Sequence, residues 1–226
     1  MIVIYRITDL PSTHQPPVHE LDKVALNELC LKSFVKAFEK IQPKVIFLYD
    51  FRTADRESMI DQIVPFEYEY YPTSFGINGT MLRAYEMARE QDDDILFQEC
   101  DYLYRPHTGS DLVNGVNALG LVSPYDHPNF YIDRNLHSTS TNIYLVDDVH
   151  WRSTERNTMT FAVKNKIFKD NYAIFKKYGY LDADVWYDLK SAGQELYVPI
   201  PSLATHMVKD YLAPGIKWED EWRKNI

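Results

Sequence analysis

The stretch that decides the fold is residues 94–106, which read DILFQECDYLYRP. Residues 95–98 predict a buried strand, and two carboxylates, Glu99 and Asp101, come where that strand should end. Ligands of open α/β sheets bind beyond the carboxyl ends of strands. Two hard oxygen ligands at such an edge suit Mg²⁺ or Mn²⁺ carrying the phosphates of a substrate. The same spacing also fits a solvated acidic turn, which remains the alternative.

The residues before this stretch predict alternating strands and helices. The predicted strands are 2–7, 45–49 and 66–70, and the predicted helices are about 22–40, 55–63 and 80–90. The strands at 2–7 and 45–49 are apolar throughout, which is typical of a parallel sheet covered on both faces. Together with the strand before Glu99, these elements predict a Rossmann-like half in the order β-α-β-α-β-α-β.

The second half of the chain is less regular. It predicts helices at 111–119, 165–178 and 182–189, strands at 142–146 and 159–163 with residues 151–154 between them, a strand from 121 that ends in a rigid turn, and an extended segment at 196–201. The polar tail after Asp210 is predicted to wrap the surface. No internal repeat or linker divides the chain, so its 226 residues predict a single domain.

Composition excludes several classes of function. The net charge is −9 and the pI is near 5.2, so the chain has no general attraction to nucleic acid or to an anionic membrane. No run of about 18 apolar residues predicts a membrane span. Cys30 and Cys100 lie in apolar segments without a metal or disulfide spacing. Because the N-terminus also lacks a signal-peptide pattern, we expect a soluble, cytoplasmic protein.

Four features in their order along the chain carry a family resemblance. After the βαβ start come an Asn78-Gly79 loop before a helix, the triplet Glu99-Cys100-Asp101 closing a strand, Asp184 beside a helix start, and a late His206. This order resembles nucleotide-sugar-dependent glycosyltransferases of the GT-A fold, in a small soluble form similar to family 2. The triplet resembles the Asp-x-Asp motif of that family, with Glu in place of the first Asp.

The resemblance covers about residues 1–210 and implies a fold. That fold is α/β, with a Rossmann-like mixed central sheet flanked by helices in a single domain over 1–226. Residues 1–106 would be the nucleotide-sugar-binding half. Residues 107–226 would be the acceptor-binding half with the C-terminal tail.

The resemblance also implies a metal site that holds Mn²⁺ or Mg²⁺. Asp101 would bind the metal directly, while Glu99 would reach it through water or contact the donor ribose. His206 would add an imidazole ligand, which Mn²⁺ accepts more readily than Mg²⁺ does. A capping or hydrogen-bonded surface histidine is the alternative for His206.

In such enzymes the nucleotide contacts the loop after the first strand and the end of the second strand. Here these positions are Thr8, Asp9 and Asp50, and an Asp can accept from a uracil N3–H or from ribose hydroxyls. Asn78 would lie near the nucleotide, and Arg83 could reach a phosphate. Turn-forming aspartates and a solvated arginine are the alternatives.

Inverting sugar transfer needs a carboxylate that takes the proton of the acceptor hydroxyl. Asp184, before a helical run, matches the position of the general base in the family, and Asp182 is the reserve. An N-terminal helix carboxylate is the alternative for Asp184. Trp151, Arg152 and Trp186 could line the acceptor site, although a core position suits either tryptophan equally.

The resemblance therefore implies a metal-dependent glycosyltransferase that moves a sugar from a nucleotide-diphosphate donor, with UDP-sugar favoured, to an acceptor hydroxyl. Inversion is favoured, and retention is the alternative because it would use the same metal site. No membrane span or nucleic-acid partner is expected. A nucleotidyltransferase is disfavoured, because residues 8–11, TDLP, lack the Gly-rich, Lys-containing phosphate loop of that class. A catalytically inactive nucleotide-sugar-binding or scaffold protein is the remaining alternative.

Overall fold

The computed structural model describes residues 1–10, 15–18, 21–50, 56–133 and 141–225. In the first half the elements are β1 (Ile2–Thr8), α1 (Lys23–Phe38), β2 (Lys44–Asp50), α2 (Arg56–Ile63), β3 (Tyr68–Pro72), α3 (Gly76–Arg89), β4 (Ile95–Glu99) and β5 (Tyr102–Tyr104). In the second half they are α4 (Gly109–Leu119), β6 (Leu121–Val122), α5 (Asn129–Ile132), β7 (Ile143–Val146), β8 (Val149–Thr154), β9 (Phe161–Val163), α6 (Asn165–Asp170), α7 (Tyr172–Tyr178), α8 (Asp182–Ser191), β10 (Leu196–Ile200), β11 (Ala204–His206) and α9 (Trp218–Arg223).

One mixed sheet runs through both halves of the chain. Its strand order in the described ranges is β3-β2-β1-β4-β9-β6-β10-β8-β7. The pairs from β3 to β4 are parallel, whereas β9 is antiparallel to both β4 and β6. Because β4 of the first half pairs with β9 of the second, the halves share one sheet. The predicted fold, a mixed central sheet flanked by helices in a single domain, is confirmed.

The side chains of β1 alternate between the two faces of the sheet, and each face is covered by a separate hydrophobic core. Val3, Tyr5 and Ile7 belong to the core that β1 shares with α1. Ile2 and Ile4 point to the other face and belong to the core that contains α3 and α8. Side chains alternate along a strand, so Arg6 follows Ile4 on that second face. A charged residue thereby reaches the carboxyl end of a strand whose other inner positions are apolar.

A second, two-stranded sheet pairs β11 with β5 in antiparallel register, with His206 opposite Tyr102. The sequence did not predict it, since three-residue strands are too short for a periodicity to show. This small sheet brings a residue from near the end of the chain beside the Glu99–Asp101 triplet.

Several predicted boundaries change. Helix α3 begins at Gly76 rather than Thr80. Gly76 has a positive φ of +65°, a conformation that glycine adopts readily in turns. The predicted helix 165–178 is divided at Asn171, whose φ of −107° and ψ of 15° fall outside the helical range. Residues 151–154, predicted to lie between two strands, belong to β8, which pairs with β10.

The tail after Asp210 does not lie wholly on the surface. Trp218 is buried in the core beside α1, and its indole Nε1–H donates to the carbonyl of Ala213 at 2.8 Å. Aromatic burial therefore pins α9 to the domain. None of the helices in the described ranges is both long and apolar enough to cross a bilayer.

Candidate functional site

A cavity of about 440 Å³ lies at the carboxyl ends of β1, β2 and β4, where ligands of α/β sheets bind. It brings together several residues that the sequence analysis predicted separately. The predicted residues that line it are Thr8, Asp50, Glu99, Asp101 and His206, and the others are Arg6, Ile7, Leu10, Lys23, Gly76, Ile77, Thr80 and Cys100.

Asp101 is the carboxylate with the most basic surroundings. Its Oδ2 lies 3.5 Å from Nε2 of His206 and 3.6 Å from Nζ of Lys23. Its own carbonyl accepts from the backbone N–H of Met207 at 2.8 Å, which fixes the turn. Burial alone would raise the pKa of Asp101, but the charges of His206 and Lys23 outweigh it and hold that pKa well below its usual range. Asp101 is therefore an anion at neutral pH.

His206 is oriented by aromatic stacking. Its ring lies parallel to Tyr102, with centroids 5.1 Å apart and planes 4° apart, and Tyr211 stacks at 6.4 Å. Burial lowers the pKa of His206, yet the Asp101 carboxylate outweighs burial and raises that pKa above its ordinary value. The imidazole is thereby held with Nε2 toward Asp101.

Asp101 and His206 fit two positions of a Mn²⁺ or Mg²⁺ site. Two neighbouring ligands about 2.2 Å from one ion lie about 3 Å apart, close to the 3.5 Å between Oδ2 and Nε2. In the described ranges no three His, Cys, Asp or Glu side chains converge into a fuller ligand set. The carboxylate oxygen is a ligand type that suits Mn²⁺ and Mg²⁺, and an ion held by Asp101 and His206 would take its remaining ligands from water and ligand oxygens.

Glu99 has fixed partners on both carboxylate oxygens. Oε1 accepts from Nη2 of Arg6 at 2.8 Å, and Oε2 accepts from Oγ1 of Thr160 at 3.3 Å. These contacts support the indirect role that the family resemblance implies for Glu99 more than direct ligation.

The sequence analysis missed Arg6 and Lys23, both of which line the cavity. Each left a signal in the sequence. Arg6 interrupts an otherwise apolar strand, and Lys23 occupies the first position of α1, where the helix dipole disfavours a cation. Such local violations of folding rules are typical of functional positions.

The loop after β1 is fixed by its own side chains. Thr8 Oγ1 donates to the carbonyl of Asp50 at 3.1 Å and accepts from the backbone N–H of Leu10 at 3.1 Å. Asn27 of α1 donates to the carbonyl of Thr8 at 2.8 Å. The loop thus ties β1, β2 and α1 together at the cavity edge. Asp9 lies in this loop but does not line the cavity.

Helix α3 reaches the cavity through Gly76, Ile77 and Thr80, and the two residues predicted from this region lie outside it. Arg83 is exposed and pairs with Glu86 at 3.3 Å. Asn78 is exposed, and its side chain lies against Gly179. Neither residue contacts the cavity in this conformation.

Asp182 and Asp184 both lie in the first turn of α8, exposed and outside the cavity lining. Asp182 is the one linked to the site. Although much of its side chain is exposed, partial desolvation of the carboxyl raises its pKa, the N–H of Ala183 lowers it, and the charge of Glu99 adds to the increase. The pKa of Asp182 is therefore affected by one carboxylate of the cavity, Glu99.

The two tryptophans predicted to line the acceptor site, Trp151 and Trp186, are both buried. Trp151 is 0% exposed in one core, where the indole packs so closely on Gly115 that a Cβ there would lie 2.5 Å from it. Trp186 is buried in the other core and donates to the carbonyl of Asn157 at 2.6 Å. A buried indole offers no face for stacking on a sugar, so we assign neither to an acceptor site. Both tryptophans have the core position that the sequence left open.

Arg152 forms a second charged cluster away from the cavity. Its Nη2 lies 2.5 Å from Oδ1 of Asp126, and its guanidinium lies over the ring of Phe130 at 4.6 Å. The Tyr131 hydroxyl donates to the same carboxylate. These partners occupy Arg152 within the protein.

No protein-family model matches the chain, and no curated protein matches it in sequence. Solved structures with the same fold do match. A protein assigned as a nucleotide-diphospho-sugar transferase from Desulfovibrio desulfuricans G20 gives a TM-score of 0.52 at 9% identity, covering 86% of this chain and 77% of that one. The galactosyltransferase LgtC, solved with donor and acceptor sugar analogs, gives 0.51 at 9% identity, covering 84% and 70%. The 4-diphosphocytidyl-2C-methyl-D-erythritol synthase from Anaerococcus prevotii DSM 20548 gives 0.50 at 14% identity, covering 86% and 84%. The chain therefore shares its fold with these solved structures.

Proposed function

We propose that the protein is a metal-dependent glycosyltransferase that takes a sugar from a nucleotide-diphosphate donor, with a uridine donor favoured. The observation that carries the proposal is the convergence of Asp101 and His206 on one cavity, beside the Thr8 loop and the end of β2. An anion and an imidazole there suit the ion that a diphosphate brings.

Asp101 and His206 would hold Mn²⁺ or Mg²⁺, which when bound stabilises the charge of the departing diphosphate. The fixed loop at Thr8 and the carboxylate of Asp50 would bind the nucleoside, because carboxylate and hydroxyl oxygens accept from base N–H and ribose hydroxyl groups. Glu99 would keep its contact with Arg6 and face the ribose side.

Inverting transfer needs a base for the acceptor hydroxyl. Asp182 and Asp184 stand in the same helical turn, and the raised pKa of Asp182 brings that carboxyl closer to the range a general base needs. We therefore place Asp182 before Asp184 as the group that takes the hydroxyl proton while the oxygen forms its bond to the anomeric carbon and the diphosphate leaves.

A nucleotidyltransferase is the second candidate, and one observation favours it. Two cations, Arg6 and Lys23, line the cavity that holds the carboxylates, as a site handling several phosphates requires. Product analysis separates the two reactions, because a glycosyltransferase releases a nucleoside diphosphate and a nucleotidyltransferase releases inorganic diphosphate.

The test is a thermal-shift screen of nucleoside diphosphates and nucleotide sugars, each with Mn²⁺, Mg²⁺ or chelator. A ligand at 100 times its Kd adds about 2.7 kcal/mol to native stability, which raises Tm by about 5–10 °C in a chain of this size. We expect one nucleotide family to give a metal-dependent shift that Asp101→Ala abolishes.

The matched control is Asp148→Ala, which removes an exposed aspartate in the turn between β7 and β8. It should retain the full shift. If no nucleotide shifts the wild-type Tm in the presence of metal, the donor site is refuted. A shift without turnover of any donor would instead support a binding protein.

A further inference from the structure

The two cations of the cavity differ from the other basic residues described so far, because stability alone does not explain their positions. Lys23 is only 12% exposed, and its Nζ stands 3.6 Å from Asp101 Oδ2. Charge-assisted N–H···O bonds are usually about 2.7–2.9 Å long. The Lys23–Asp101 contact is thus an electrostatic pairing rather than a short hydrogen bond, and the ammonium also interacts with Cys100.

Lys23 also stands at an unfavourable place in its own helix. It is the first residue of the 16-residue α1, whose first turn contains no acidic residue. The positive end of a helix dipole repels a cation there, by about 0.3–1 kcal/mol at exposed sites. Asp22 caps α1 through the N–H groups of Val24 and Ala25, so the helix start does not depend on Lys23.

Arg6 approaches the cavity from the opposite side of the triplet. Its side chain is 8% exposed, and one Nη2 donor engages Glu99. Within the described ranges its buried Nε has no hydrogen-bond partner. A guanidinium carries five N–H donors in a planar fork. Arg6 is therefore a largely buried cation at a cavity wall, and its Nε donor is unpaired within the described ranges.

The cavity thus presents carboxylates and cations together, and they suit different parts of one ligand. Carboxylates suit a metal ion, whereas a lysine and an arginine suit phosphate oxygens. We propose that Lys23 and Arg6 bind the phosphate groups of the ligand, so that the affinity of the site rises with each phosphate. The assignment rests on the proposed function and names how the diphosphate is held.

The test compares affinities by isothermal titration calorimetry for a nucleoside, its monophosphate and its diphosphate, in the base series that the thermal screen identifies. Inorganic diphosphate is titrated in parallel, and every series is run with Mn²⁺ and with chelator. Lys23→Met should reduce the ratio of diphosphate to nucleoside affinity about tenfold or more. The nucleoside itself should bind as it does to the wild type.

Matched variants separate charge from structure. Lys32→Met removes the same charge from an exposed position of α1 that pairs with Glu28, and it should leave the ratio unchanged. Lys23→Arg keeps the charge and should restore most of the ratio. Arg6→Lys keeps a charge but loses the fork, and it should lower the ratio severalfold. Circular dichroism melts confirm that each variant folds.

Each outcome decides the proposal. An unchanged ratio in Lys23→Met and Arg6→Lys would overturn the phosphate role while the proposed function stands. If the wild type binds inorganic diphosphate but no nucleotide, and Lys23→Met loses that binding, the proposed function fails and the phosphate role survives. If the wild type binds neither nucleotide nor inorganic diphosphate, both fail.

Discussion

Two aspartates of this protein, one partly exposed and one buried, pair with basic side chains but have pKa shifts in opposite directions. Asp101 faces His206 and Lys23 at the 440 Å³ cavity, at distances of 3.5 and 3.6 Å. Asp126 is 2% exposed, accepts from Arg152 at 2.5 Å and from the Tyr131 hydroxyl, and does not line that cavity. Burial raises the pKa of Asp126 more than Arg152 lowers it, whereas the pKa of Asp101 is held low.

The difference teaches how to separate a structural ion pair from a binding site. Asp126 has short contacts to fixed partners, so exchanging them for a ligand would leave Arg152 buried and unpaired. Asp101 has longer contacts to groups that also face a cavity, so a ligand can replace them at lower cost. Both clusters are charged, and they differ in contact length, in access to the cavity and in the direction of the aspartate pKa shift.

The largest effect is expected in the cluster that faces the cavity, which consists of Asp101, His206 and Lys23. Asp101→Asn keeps the shape of the side chain and removes its charge, so turnover with metal should fall on the order of 10³-fold. Steady-state kinetics at saturating Mn²⁺ measure the loss, and the melting temperature shows whether the fold is retained. Wild-type turnover in Asp101→Asn would remove the distinction between the two clusters.

In the cluster of Asp126, Arg152 and Tyr131, which lies outside the cavity lining, the expected effect is on stability. Asp126→Ala leaves Arg152 buried without its carboxylate, which costs about 3 kcal/mol of unfolding free energy in comparable buried pairs. Urea denaturation measures the loss, and nucleotide affinity at a temperature where the variant is folded should be unchanged. Asp126→Ala combined with Arg152→Met should recover part of the stability, since no unpaired charge remains.

The third prediction concerns Asp182, the carboxylate that we propose as the general base. Asp182→Asn should lower kcat about 10²-fold, because loss of a general base has that order of effect, and it should leave the Kd of the donor unchanged. Asp184→Asn is the matched control in the same helical turn. If Asp184→Asn gives the larger loss, the roles of the two residues are exchanged, as the sequence alone had ranked them.

The smallest effect concerns His127, next to Asp126 in sequence and 5.2 Å from Tyr211 between ring centroids. Burial, with a contribution from His206, lowers the pKa of His127 to about 4. The unfolded chain binds a proton near pH 6.5, so stability is highest above that pH and falls as pH drops toward 4. The full pKa difference corresponds to about 3 kcal/mol, and because His127 is only partly buried we expect a loss of about 2 kcal/mol.

His127→Phe isolates that contribution, because other acidic groups titrate in the same range. The unfolding free energy of the wild type minus that of the variant, measured by urea denaturation from pH 7.5 to 4.5, should decrease as the pH falls. A difference that stays constant over this interval would show that His127 is not buried in its neutral form.

Much of the first half was predictable because its signals are local. Long apolar runs predicted β1, β2 and β4, and the rule that ligands bind at the carboxyl ends of strands pointed to Glu99 and Asp101. The family resemblance added Thr8 and Asp50, which line the cavity, and Asp9, which does not. His206 followed only from the order of motifs, since nothing local brings it to Asp101.

The rest depends on tertiary contacts that no local pattern carries. Aromatic residue type does not say which side of a helix or strand is buried, so Trp151 and Trp186 could equally have been surface residues. Arg6 is a charged residue in an apolar strand and Lys23 is a cation at a helix N-terminus. These exceptions suggested a functional role only once both residues were found to line the cavity. The β5–β11 pair is too short to predict.

That short pair also has a consequence for biosynthesis. On the ribosome, β1 through β4 are made early, but β5 acquires its partner only after residues 204–206 have emerged. A chain interrupted before that point would contain the parallel sheet and Asp101 without His206. Under the proposed function, only chains that include His206 would have the complete donor site, and the donor would stabilise only those chains.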